Sequence, residues 1–127
     1  MSLRWAQKEV ILARLAAEQG TLFKQAPIRV ALCYPSPYRV GMSSLGFQTL
    51  YREIHLHPGF SAERAFLLDD PRAGRGSPLL TYESQLPVGE YAVIALSVSW
   101  ELELAGVLEL LTRAGVPLLL ADRLSVV

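Results

Sequence analysis

The sequence predicts an α/β fold, an open, doubly wound, mostly parallel sheet of Rossmann or flavodoxin type. Three observations carry this expectation. Apolar runs that do not alternate, at 28–34 and 91–98, read as strands buried on both faces. Amphipathic stretches of helical period separate them. Right-handed crossovers between such units then place helices on both sides of the sheet.

The elements follow in order. Residues 3–19 set Leu3, Ile11, Leu12, Leu15 and Ala16 among Lys8, Glu9, Arg14 and Glu18, a helical period that Gly20 stops. This N-terminal helical segment, 1–20, is set apart from an α/β domain over 21–127. Pro27 opens the strand at 28–34, and Pro35-Ser36-Pro37 ends it, because proline cannot donate to a ladder. A helix starts near Ser43 or Ser44, either of which can cap it. Its apolar face is Phe47, Leu50, Tyr51 and Ile54, and Pro58-Gly59 closes it.

A second strand is expected at 63–68, then an irregular stretch at 69–78 and a short extended piece at 79–83. Gly89 leads into the clearest strand, 91–98. A helix over 101–114 turns Leu104, Val107, Leu108 and Leu111 inward and stops at Gly115. A last strand is read at 116–121. With no helix after it, the sheet reads as incomplete at its C-terminal side. The uncovered strand is an edge through which copies can self-associate.

Composition narrows the function. The 127 residues are 51% hydrophobic and 19% charged, enough apolar surface for a buried core. Twelve basic and twelve acidic residues leave a formal net charge of zero, which argues against a nucleic-acid or anionic-membrane surface. No basic start leads into a signal-peptide apolar core, and no apolar run is long enough to span a bilayer, so the chain reads as cytoplasmic. One cysteine excludes a disulfide framework, a four-cysteine zinc site and a self-contained iron–sulfur cluster.

In open α/β sheets, ligands sit beyond the carboxyl ends of the strands. That selects three loops: 34–46, 69–76 and 97–101. In the first, Gly41 allows an unusual backbone angle, Ser43 and Ser44 offer hydroxyls, and free amides at the helix start suit an anionic or strongly polar group. Gly46 would let a ligand or a strand approach closely. The structural alternative is a helix cap at Ser43 and a packing role for Gly46. The loop has neither G-x-x-x-x-G-K-[ST] nor G-x-G-x-x-G, which counts against a nucleoside triphosphatase and a dinucleotide dehydrogenase. It also lacks the acidic residues of a receiver domain.

Asp69-Asp70 reads as a solvated turn pair. His55 and His57 lie at the far end of the helix and read as surface or helix-terminus residues, not as metal ligands. Cys33 reads as a small apolar filler. In the third loop Ser97 and Ser99 share a parity, so both hydroxyls can face one crevice, with Trp100 on its rim. A helix cap at Ser99 is the competing reading.

The stretch 29–51, RVALCYPSPYRVGMSSLGFQTLY, resembles the N-terminal region of radical S-adenosylmethionine (radical SAM) proteins with a cobalamin-binding-like domain. The segments 95–101, ALSVSWE, and 114–123, AGVPLLLADR, are similar to the same family in the same order. The resemblance implies a Rossmann-like module placed ahead of a radical SAM barrel. The barrel would carry the C-x-x-x-C-x-x-C motif, the four-iron cluster and S-adenosylmethionine. This chain is then an accessory domain with no catalytic residue of its own, and the downstream barrel is its partner. Cobalamin is the cofactor implied here, with Tyr38, Gly41, Met42, Ser43, Ser44, Gly46, Ser97, Ser99 and Trp100 as the residues around it. The family's Asp-x-His-x-x-Gly loop has no histidine at 41–46. Cobalamin would therefore bind without a histidine ligand. Two alternatives stand beside it: a cofactor-free docking domain for the barrel, and a small nucleotide-like or anionic ligand on the first loop.

Overall fold

β1 (Ile28–Pro37) is the central strand of a three-stranded parallel sheet. β2 (Phe60–Leu67) and β3 (Val93–Leu96) flank it in the order β2-β1-β3. This computed structural model describes residues 3–70, 72 and 77–124. The sheet bears out the predicted α/β class, and its order is that of the first three strands of a flavodoxin-type sheet.

The pleat sends alternate residues to opposite faces. On one side, Leu32 and Tyr34 of β1 join Ala62 and Phe66 of β2. They pack against Ile11 of α1 (Leu3–Ala17) and against Phe47 and Tyr51 of α3 (Leu45–Leu56). On the other side, Ala31, Cys33, Ala65 and Leu67 meet Leu79, Val88 and Leu110, the last from α4 (Leu104–Arg113). Helices thus cover both faces, as the continuous apolar pattern of β1 requires.

β2 breaks that pattern by burying two charges. Arg64 points to the α1–α3 side, where Glu18 at the end of α1 receives both terminal guanidinium nitrogens, at 3.1 and 2.8 Å. Glu83 takes Arg64 Nε at 2.7 Å and the Arg64 amide at 2.8 Å. Tyr51 donates to Glu83 at 2.6 Å, and the guanidinium lies 4.8 Å from the Tyr51 ring centre. Glu63 points to the other side, where Arg29 donates at 2.7 Å and the Tyr91 hydroxyl at 2.7 Å.

The two sheet edges are finished differently. On β2 the outward backbone is occupied at Ala62 and Arg64. His55 Nε2 lies 2.9 Å from the Ala62 carbonyl oxygen and 3.3 Å from its amide nitrogen, while Tyr82 N–H donates to the Arg64 carbonyl. On β3 the ladder runs only to β1, in the register Val30↔Val93 to Cys33↔Leu96.

Several expectations are corrected. β1 continues through Pro35-Ser36-Pro37, because a register irregularity after Tyr34 takes these prolines out of the regular ladder. A short helix not foreseen, α2 (Tyr38–Met42), follows directly. β2 begins three residues earlier than read, and β3 keeps only Val93–Leu96 of the strand read at 91–98, after a 3-10 turn at Val88–Glu90. At 79–83 only Leu80 pairs, in a bridge to Pro87. α4 starts after a 3-10 turn at Glu101–Glu103 and buries Leu110, whereas Leu104 and Leu108 are exposed. The reason is Gly106. It rests against the Pro35 carbonyl and so fixes which face of the helix turns inward. Residues 116–121 form no strand, and Leu120–Leu124 make α5.

Candidate binding face at the carboxyl end of the sheet

Strand polarity places residues 38–46, 68–70 and 97–103 at one end of the sheet. There the first and third loops meet: the Tyr34 hydroxyl and Ser99 Oγ are 3.3 Å apart. Of the second loop, Pro71 and residues 73–76 lie outside the described residues. Asp70 accepts from the Arg72 amide, and Asp69 pairs with Arg14 of α1 at 2.8 Å, so one of the two expected solvated carboxylates has a cationic partner.

The predicted first-loop residues divide by task. Tyr38 faces inward, donating to Glu18 at 2.5 Å and stacking on Tyr82 at 5.2 Å. Burial foremost, with the Glu18 carboxylate, pushes its phenol well above the usual tyrosine range. Met42 also packs inward, with its sulfur 3.5 Å from Arg64 Nη1. Gly41 has no left-handed backbone angle, contrary to expectation. It is a contact glycine, since a Cβ there would overlap the Phe66 ring. Ser44 is the helix cap, its Oγ accepting from the Phe47 amide at 3.2 Å, and Ser43 folds back to donate to the Arg39 carbonyl. A Cβ at Gly46 would meet only Ser44 Oγ, at 3.8 Å.

In the third loop, Ser97 N–H donates to the Cys33 carbonyl and extends the β1 ladder by one bond. Ser99 is not the cap. Its own amide and that of Trp100 donate to Glu103 Oε1, at 2.8 and 3.2 Å. The carboxylate therefore gathers the free amides ahead of α4, the task expected of a serine. Glu103 Oε2 is buried with no hydrogen-bond partner among the described residues. A sequence reading could have found Glu103 from its place three residues after Trp100, the spacing of a reciprocal cap.

Around these loops several apolar side chains are exposed, as are Arg39 and Glu101. Val40 of α2, Leu45 at the start of α3, then Val98, Trp100, Leu102 and Leu104 are all exposed, Leu45 by 83% and Leu102 by 70%. No donor for a metal-centred cofactor stands among them. His55 and His57 lie at the other end of α3, and the lone thiol, Cys33, is buried in β1, where burial pushes it up to about 12.

A family model described as "Radical SAM proteins, N-terminal" matches residues 46–126, more than half of the chain. The chain belongs to this family. The match starts at Gly46, inside the first turn of α3, so it takes in β2, β3 and α4 but not β1. No curated protein and no solved structure matches the chain. For a radical SAM N-terminal domain, the residue missed most completely by sequence reading is Arg64. Its only sequence signal was a charged pair, Glu63-Arg64, inside an otherwise apolar strand.

Proposed function

We propose that this chain is an accessory domain that docks on the catalytic radical SAM region of its own protein, through the carboxyl end of its sheet. The observation that carries the reading is the group of exposed apolar side chains there: Val40, Leu45, Val98, Trp100, Leu102 and Leu104. Exposed apolar surface of this kind marks interaction sites. Family membership names the occupant, because the family consists of N-terminal domains of radical SAM proteins. Cluster and S-adenosylmethionine chemistry then belongs to that region, since a single buried cysteine cannot hold a four-iron cluster.

Association with the separately expressed radical SAM region tests the reading. Trp100→Glu and Leu102→Glu each place a charge in the surface to be covered. Each is expected to weaken association at least about tenfold, with unchanged circular dichroism. Full-strength association of both variants would sink the proposal.

A second reading has its own observation. A Cβ at Gly46 would meet only Ser44 Oγ, at 3.8 Å, and on the third loop, at the same end of the sheet, Ser99 and the Trp100 ring are exposed. This suits the amide-bearing periphery of a cobalamin. The side chains at this end do not fit a protein-ligated cobalt, so cobalamin would bind without a histidine ligand. Titration of hydroxocobalamin into the chain checks it. A saturable change in the visible spectrum, lost in Gly46→Leu, supports the reading, and no change at high concentration removes it.

A further inference from the structure

We infer that the cavity between α1 and the end of β2 is a binding site for a small aromatic molecule that carries a positive charge. The cavity measures about 210 Å³. From α1 it is lined by Ala6, Gln7, Val10, Ile11 and Arg14, whose spacing places them on one face of the helix. Phe66, Leu67 and Leu68, where β2 ends, line it as well, with Tyr82 beside them. Val10 is 47% exposed and Ile11 only 2%, so this face of α1 is covered at one residue and open at the next.

Size and walls set the first part of the ligand. An apolar cavity of about 150 Å³ already holds a benzene ring. The space here takes such a ring together with a short tail. Its aliphatic and aromatic walls favour an apolar body over a polar one of equal size.

The charges set the second part. Arg14 is committed within the protein, donating to the Tyr82 hydroxyl at 2.7 Å and to Asp69 at 2.8 Å. Gln7 is committed to the Pro78 carbonyl and the Leu80 amide. Asp69 uses one oxygen on Arg14, and Asp70 uses one on the Arg72 amide. Among the described residues no hydrogen bond reaches the second oxygen of either. Two carboxylates against one guanidinium leave the lining with a surplus of negative charge. A ligand ammonium is attracted to that surplus, and a ligand carboxylate is repelled by it. The inference is independent of the docking and cobalamin readings, because no side chain named for either lines this cavity.

Titration of 2-phenylethylammonium into the chain, followed by methyl NMR, tests it. The expected result is saturable binding that shifts the Val10 and Leu68 methyl signals, with no saturation by 3-phenylpropionate. Val10→Trp fills the cavity from an exposed position and is expected to weaken binding at least about tenfold, with unchanged circular dichroism. Ala6→Phe, one turn earlier on the same face, serves the same purpose should Val10→Trp fold poorly. Asp70→Asn removes one charge and is expected to weaken binding about threefold. No saturation by the ammonium compound below about 1 mM would overturn the inference. So would equal binding of 3-phenylpropionate, or unchanged affinity in the cavity-filling variant or in Asp70→Asn.

Discussion

Arg64 shows how far a single residue can depend on partners distant in sequence. Its side chain is 2% exposed and shares its charge between two carboxylates. Burial by itself would raise the Glu18 carboxyl, but donors from Arg64, Tyr38 and Thr21 outweigh burial and hold it below the usual carboxylate range. Glu83 goes the other way. Its burial raises it, and the Arg64 charge and the Tyr51 hydroxyl offset only part of that cost. The two groups therefore contribute to stability in opposite pH windows. Glu18, lowered on folding, stabilises above the ordinary carboxylate value, and its contribution disappears as pH falls through its folded value. Glu83, raised on folding, stabilises below the ordinary value, and its contribution disappears as pH rises through its folded value. From neutral pH downward, the urea midpoint is expected to rise as Glu83 takes a proton and then fall as Glu18 does. Glu83→Gln should remove the rise and Glu18→Gln the fall. Identical pH profiles for the two variants would contradict this division. Arg64→Met leaves both carboxylates buried without their cation, at an expected cost of about 3–5 kcal/mol in urea unfolding.

At the scale of elements, glycines decide how helices approach the sheet. A Cβ at Gly106 would overlap the Pro35 carbonyl, and one at Gly89 would overlap that of Ala114. Both neighbours are backbone, so neither can turn aside as a side chain would. Gly106→Ala is expected to cost about 1–3 kcal/mol by forcing α4 off the sheet. Gly46 makes the contrast, because only Ser44 Oγ comes near and only at 3.8 Å. Gly46→Ala should stabilise α3 by up to about 1 kcal/mol through reduced backbone entropy. Thermal melts of the two variants check the pair, and equal shifts would contradict the contact geometry. α3 itself was readable in advance, from one of the two proposed caps and from Phe47 and Tyr51 at helical spacing. Of its expected apolar face, Leu50 is exposed. The orientation of α4 was not readable, because Leu104, Val107, Leu108, Leu110 and Leu111 offer more than one apolar stripe. The contact between Gly106 and Pro35 chooses among them.

For the whole molecule, the N-terminal helix is joined to the α/β layer by buried groups. Ile11 lies in the core, Gln7 accepts from the Leu80 amide and donates to the Pro78 carbonyl, and Glu18 holds Arg64. Removing residues 1–20 would strip Arg64 of one carboxylate and uncover Tyr38, Phe66 and Tyr82. The shortened chain is expected to lose cooperative thermal unfolding, as followed by near-ultraviolet circular dichroism. A sharp transition at an unchanged temperature would show that α1 contributes nothing to the body. Among the described residues no helix is long and apolar enough to cross a membrane.

The sequence by itself determined the layer architecture. Continuous apolar runs can be satisfied only by burial on both faces, and the amphipathic helices between them supply the cover. It also determined the cap region of α3 and the end of the sheet at which a ligand or partner was to be sought. Only the tertiary structure decided the rest. It turned Tyr38, Met42 and Gly41 into packing residues, gave the cap before α4 to Glu103, and left 116–121 outside the sheet. It also made Arg64 and Glu63 interior residues. The physical reason is common to these cases. A strand or helix period is a local property, whereas the burial of a charge, a phenol or a bare backbone depends on partners that only folding brings together.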